Sequence, residues 1–306
     1  MASLETAPKL PQPPRGAQLW WLAARPRTLP LALAPVLVGS AIAEQTSGLH
    51  AGAALAAGLG ALTLQVGANY ANDVFDAERG ADTEARIGPP RAVQMGWVSA
   101  ARMRVASALA FGAAALLGLY LVALAGWPIA LAGLLAIAAG LAYTGGPWPL
   151  GYHGLGELTV FVFFGGVAVC GSCFVQSGEV PRQALLASVP VGALAAAVLV
   201  VNNLRDVDED RQSGKRTLAV RWGHRASRAE YAALLFISYA TLPLLWLQGA
   251  GTGALLPLLG LPLALRLLGA LRVHSDGPAM NAALARSAQH CLIFSLLLAV
   301  GILLRP

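Results

Sequence analysis

The chain has 306 residues, 57% of them hydrophobic and only 12% charged, with a net charge of +6 and a mean hydropathy of +0.63. Soluble domains carry roughly 25% charged residues, so this balance excludes an ordinary soluble domain and predicts an integral membrane protein. The apolar runs are continuous and do not alternate with period two, which argues against a barrel and for an all-α, polytopic bundle.

Residues 1–19 are polar and proline-rich ("PKLPQPPRG"), and a disordered tail is expected there. Residues 20–306 read as one transmembrane domain, opened by Trp20 and Trp21 as interfacial anchors. A spanning helix needs about 20 mostly apolar residues. Nine stretches qualify: 28–43, 51–71, 103–125, 128–144, 156–175, 184–203, 229–247, 253–270 and 284–304. The first is short and carries Pro30 and Pro35, which predicts a kink or tilt. Cys170 and Cys173 lie one helical turn apart in an apolar run with no His nearby; with Cys291 they make no disulfide framework and read as small buried hydrophobes.

Nine spans divide the connections into two alternating sets. One set, with the N-terminal tail and the 72–102 and 204–228 connections, holds 19 of the 21 Lys and Arg residues, and the other holds only Arg182 and Arg305. By the positive-inside rule the N-terminus and both of those connections are cytoplasmic, in a cell (inner) membrane. The positive charge therefore needs no nucleic acid to explain it.

Two acidic stretches break the apolar pattern. In "NYANDVFD", Asn69, Asn72, Asp73 and Asp76 sit at i, i+3, i+4 and i+7, on one face of a continuing helix. In "VNNLRDVDED", Asn203, Asp206 and Asp210 sit at i, i+3 and i+7, again at a helix's cytoplasmic end. Each carboxylate costs about 3 kcal/mol at bilayer depth, so water, basic partners or hard cations must neutralise them. Clustered carboxylates with amide oxygens suit Mg²⁺, which keeps waters and bridges to substrate phosphates. Arg79, Arg86 and Arg91 accompany the first motif; Arg205, Lys215 and Arg216 accompany the second. Acids for a metal and cations for anionic oxygens make a diphosphate clamp.

With these motifs the sequence resembles the UbiA superfamily of intramembrane aromatic prenyltransferases. "NYANDVFD" fits its N-x-x-x-D-x-x-D pattern, and "NNLRDVDEDRQSGKRTLAVRWG" resembles its second acidic motif in the form found in 1,4-dihydroxy-2-naphthoate prenyltransferases. "RPRTLPLALAPVLVGSAIA", "RGADTEARIGPPRAV" and "YTGGPWPLGYHGLGELTVFVFFG" are similar to the same branch, so the likeness covers most of residues 20–225. It implies a helical bundle around a central cavity, with Asp73, Asp76, Asp206 and Asp210 catalytic and binding polyprenyl diphosphate through Mg²⁺. Asn69, Asn72 and Asn203 would assist as ligands or hydrogen-bond partners. The implied reaction forms an allylic carbocation, which an electron-rich ring carbon attacks. With 1,4-dihydroxy-2-naphthoate the ring carboxylate leaves as CO₂, giving demethylmenaquinone in menaquinone biosynthesis.

Tyr143 could face the allylic cation or anchor the helix at the interface, and Arg25 could pair with the acceptor carboxylate or set topology. Glu157 and His153 are candidates for acceptor handling or solvated loop residues, and Asp82 orders the first loop. An ion-coupled transporter is the rival from another class, since intramembrane carboxylates mark ion pathways and Asp73 and Asp206 recur in the two halves. Same-side acids with a basic clamp favour phosphate chemistry. The 4-hydroxybenzoate, homogentisate and chlorophyll branches stay open as acceptor classes, while the R-D-x-x-x-D-x-x-x-G-K-x-T form at 205–217 favours the naphthoate.

Overall fold

The structure, a computed structural model, describes residues 14–81, 87–273 and 276–304. It is helical, with no strand among the described residues. A short α1 (Ala17–Ala23) leads into α2 (Pro30–Ser47), α3 (Ala51–Glu78), α4 (Ala100–Ala125) and α5 (Trp127–Ala142). Then follow α6 (Gly156–Ser177), α7 (Arg182–Arg205), a short α8 (Val207–Gln212), α9 (Leu218–Ala250), α10 (Thr252–Val273) and α11 (Gly277–Leu304). Seven of these are long and apolar enough to cross a membrane, and with α2 and the 16-residue α5 they make nine rods among the described residues.

The expected spans and the rods coincide at their centres and differ at the ends. Helix α3 runs on through the whole first acidic motif to Glu78. The expected tail gives way to helix at Ala17, where Leu19 is already buried. Trp20 is more than an anchor: its ring packs edge-on against Tyr70 and its carbonyl accepts the Tyr70 hydroxyl at 3.0 Å. Pro30 stands in the first turn of α2, where its missing N–H has no partner to lose, while Pro35 lies inside the helix.

Helix starts are capped by His50, Ser99 and Thr217 side chains accepting backbone N–H groups, and Gly48, Gly126 and Gly178 end helices at positive φ. The pole of the bundle is α7, rich in Ala and Val: 78% of its most apolar stretch is buried, against 11% for α4, which faces lipid. It packs against α6, α9 and α11. Gly192 of α7 meets Gly165 of α6, where an added Cβ would stand 2.6 Å from the Phe161 carbonyl oxygen. A π turn at Phe161–Val167 sits at that crossing. Helix α5 buries no residue at all and leans on α3 and α4.

Candidate active site

Helices α2 to α7 enclose a cavity of about 690 Å³. Its long walls are small and apolar, including Gly60, Ala61, Ala115, Gly133, Ala136 and Gly140. Along α5 it runs from Tyr143 down to Ile129, about 21 Å at the helical rise. The charged residues gather at one end, with Asn69, Asn72 and Asp76 from α3, Thr144 and Tyr152 from the α5–α6 connection, and Asn202, Asn203, Asp206, Glu209, Asp210 and Lys215 from α7 onward; Gln65 and Ser172 are polar points farther down the walls. Arg25 and Arg91 complete this mouth.

Asp76 is the hub. Its Oδ2 accepts from Arg91 Nη2 at 2.9 Å, its Oδ1 accepts from the Tyr152 hydroxyl at 2.8 Å, and Lys215 Nζ lies 3.5 Å from Oδ1. Lys215 stands at the same 3.5 Å from Asp210 Oδ1, so one ammonium joins the two acidic motifs. The ammonium also sits 5.0 Å above the Tyr152 ring, with the Arg79 guanidinium at 5.4 Å. Burial, opposed by Lys215 and reinforced by the Asp206 and Asp76 carboxylates, pushes the Asp210 carboxyl up to about 7.

The second motif departs from the single helical face predicted for it. The helix breaks at Asp206 (φ −97°, ψ 11°), and α8 restarts beyond it with Asp210 inside. Asp206 takes a two-pronged bond from its neighbour Arg205, Nε to Oδ1 at 2.6 Å and Nη2 to Oδ2 at 2.7 Å. Arg205 also donates to Asn202 Oδ1 and to Asn281 Oδ1 of α11. It is absent from the cavity lining and works as a buried brace.

Other predicted residues occupy varied stations. Asp73 lies off the cavity wall, its two oxygens accepting the backbone N–H groups of Ala92 and Val93 at 3.0 and 3.1 Å. It thereby pins the turn that delivers Arg91. Asn69 donates to the Ala24 carbonyl, and Asn72 Oδ1 accepts from Thr144. Next to Ala24, Arg25 holds φ +58°, alone in that region among described non-glycine residues, and lines the cavity. Such strain persists where the surroundings enforce it, commonly at functional sites. Arg79 reaches the Gly146 carbonyl and Arg216 docks its backbone N–H on the Tyr152 carbonyl, so neither side chain lines the cavity. Arg86 and Asp82 lie outside the described residues. Tyr143 lines the wall just below the mouth.

Glu157 is buried, unlike the solvated loop residue weighed as one reading. Asn203 donates to its Oε1 at 2.7 Å, and its Oε2 has no hydrogen-bond partner. His153 stacks on Trp148. Tyr152, Thr144 and Asn202 were not singled out from the sequence. Their signal is weak: a Tyr in a Gly- and Pro-rich connection and the first of two adjacent asparagines.

Mg²⁺ suits the donor chemistry of this mouth, which offers Asp76, Asp206 and Asp210 with the Asn72 and Asn202 amides. Among the described residues no three His, Cys, Asp or Glu side chains form a ready cage. An ion held there would draw on retained waters and substrate phosphates beside these side chains.

A long apolar chamber inside a membrane bundle, mouthed by acids and cations at one end, has the form that suits an amphipathic ligand with a charged head and a hydrocarbon tail. Residues 32–303 match the UbiA prenyltransferase family, and the chain belongs to it. It is 38% identical over 294 residues to the 1,4-dihydroxy-2-naphthoate octaprenyltransferase of Escherichia coli (94% of this chain, 96% of that one). It is 40% identical over 284 residues to the Mycobacterium tuberculosis protein of the same name (92% and 95%). The fold is similar to a UbiA homologue from Aeropyrum pernix (TM-score 0.69, 16% identity, covering 90% of this chain and 97% of that one). It is also similar to one from Archaeoglobus fulgidus bound to GPP and Mg²⁺ (TM-score 0.67, 14% identity, 93% and 99%).

Proposed function

We propose that this multi-pass membrane enzyme transfers a polyprenyl group from polyprenyl diphosphate to 1,4-dihydroxy-2-naphthoate. The observation that carries the reading is the joining of Asp76 and Asp210 through Lys215 at the mouth of an apolar chamber. The acceptor is supported by the names of the bacterial relatives above, and the expected setting is the cell (inner) membrane with the N-terminus and the mouth cytoplasmic.

Arg91 and Lys215 bind diphosphate oxygens, while the prenyl chain lies along the Gly- and Ala-lined walls. Asp76, Asp206 and Asp210 are the carboxylates to hold Mg²⁺, with Asn72 and Asn202 as amide ligands; when bound, the ion neutralises charge on the diphosphate and favours its departure. The allylic C–O bond breaks with its electron pair going to diphosphate. The Tyr143 ring faces the cation, and the dry chamber keeps water from capturing it. The ring carbon bearing the carboxylate bonds to the allylic carbon, Arg25 having oriented that carboxylate. Loss of CO₂ returns the electron pair to the ring, giving demethylmenaquinone in its quinol form. In this reading Asp73 and Arg205 position the mouth and do not touch substrate.

The test is a radiometric assay of membranes expressing the chain, offered 1,4-dihydroxy-2-naphthoate or 4-hydroxybenzoate with a long polyprenyl diphosphate. Prenylation of the naphthoate with CO₂ release is expected. Product from 4-hydroxybenzoate alone overturns the acceptor, and no product from either acceptor favours the transporter class.

A further inference from the structure

Outside the catalytic chamber, a groove of about 530 Å³ opens between the start of α2 and the face of α11. The segment Ala24–Leu29 divides the two spaces. Arg25 lines the chamber, whereas Arg27, two residues on, lines the groove. Helix α11 divides likewise, with Leu284 facing the chamber and Arg286 the groove. Pro278, Asn281, Ala282, Ala285 and Gln289 form the remaining wall. Asn281 is already committed, bonding Arg205 and the Ile87 carbonyl. Arg27 and Arg286 are exposed and make no ion pair among the described residues, and no carboxylate lines the groove.

Two unneutralised guanidiniums and a free amide suit one phosphate. Their depth is also informative. Arg286 lies 18 residues before Leu304, about 27 Å along the helix, which puts it one hydrocarbon thickness from the far end and level with headgroups. Below it, Gln289, Ile293, Leu296 and Val300 recur at i, i+4, i+7 and i+11, so they share one face. Ile293, Leu296 and Val300 are 40%, 41% and 45% exposed, an apolar track leading from the basic recess across the bilayer.

From this geometry we propose that the α2–α11 groove is a binding site for an anionic phospholipid, its phosphate between Arg27 and Arg286 and an acyl chain along the α11 track. A bilayer phospholipid is the occupant because its phosphodiester carries one negative charge and needs no metal. A diphosphate carries more charge and would lack the carboxylates that hold Mg²⁺ in the chamber. The site does not depend on which reaction the chamber performs.

The experiment is native mass spectrometry of the purified full-length chain with EDTA present, after incubation with phosphatidylglycerol, phosphatidylcholine or geranylgeranyl diphosphate at equal molar ratio. Wild type is expected to retain phosphatidylglycerol over phosphatidylcholine. R27Q/R286Q should lose at least about tenfold of that retention while keeping its elution volume and prenyl-transfer kcat. R286K, which keeps the charge, should retain more phosphatidylglycerol than R286Q. Equal phosphatidylglycerol retention by wild type and R27Q/R286Q overturns the site. Retention of geranylgeranyl diphosphate in place of phosphatidylglycerol overturns the assigned occupant and makes the groove a donor dock.

Discussion

The Tyr152 hydroxyl donates to Asp76 Oδ1 at 2.8 Å while its ring lies beneath the Lys215 ammonium. One side chain thus orients both a carboxylate and a cation. Tyr152→Phe keeps the ring and loses the hydrogen bond, a loss typically worth about 1 kcal/mol, so kcat should fall roughly fivefold to tenfold. Tyr152→Leu removes both contacts and should cost more. Steady-state kinetics that rank the leucine variant equal to wild type would sink this role.

Asp73 and Asp76 are separated by their partners despite sharing a motif. Asp76→Asn should reduce turnover about a hundredfold or more and raise the Mg²⁺ concentration needed for half-maximal rate. Asp73→Asn weakens the acceptor of two backbone N–H groups and should lower thermal stability, with the Mg²⁺ midpoint unchanged. A Mg²⁺ titration of both variants decides it, and equal midpoint shifts would return Asp73 to the metal.

The raised Asp210 carboxyl gives a pH signature. Its folded pKa of about 7 lies above the ordinary aspartate value of 3.8, so the metal-free protein binds this proton more tightly folded than unfolded. Stability from this group is complete below about pH 4 and is lost as pH rises through about 7. Magnesium needs the ionised form, so the melting-temperature gain on adding Mg²⁺ should grow from pH 6 to pH 8. A gain that shrinks over that range contradicts the assignment of Asp210.

Gly192→Ala places a methyl group 2.6 Å from the Phe161 carbonyl oxygen and 3.0 Å from Gly165 Cα, both backbone atoms that cannot step aside singly. Helices α6 and α7 must separate. Detergent-solubilised protein should melt several degrees lower, and a scanning fluorimetry trace matching wild type would refute the tight crossing.

Orientation is tested by single cysteines in a chain whose native cysteines are replaced. Gln94→Cys and Ser213→Cys should react with membrane-impermeant maleimide only after the cytoplasmic side is opened, given the 19-to-2 division of basic residues. Labelling from the outside would invert the whole arrangement.

Much of this was legible in the chain because lipid leaves little freedom: long apolar runs must be helices, and Asn72 and Asp76 at i and i+4 on a helix that continues must share a face. Asp73 shows the limit. Its place one position beyond Asn72 turns it toward residues 91–93, and only the tertiary course of that turn reveals two amides waiting there. Asp206 shows another, since its bond to the adjacent Arg205 accompanies a break that periodicity does not announce. Tyr152 comes to Asp76 from 76 positions away, a contact that no local pattern encodes.

Helix α5 forms a wall of the chamber yet buries none of its residues, and Leu131, Leu134 and Leu135 stand exposed on it. A partition with solvent lipid on its back is a poor ruler. A prenyl chain longer than this channel of about 21 Å would have its far isoprenes emerge among the acyl chains. A wall of that kind would set no upper limit on tail length, and the choice of length would fall to the enzyme that makes the diphosphate.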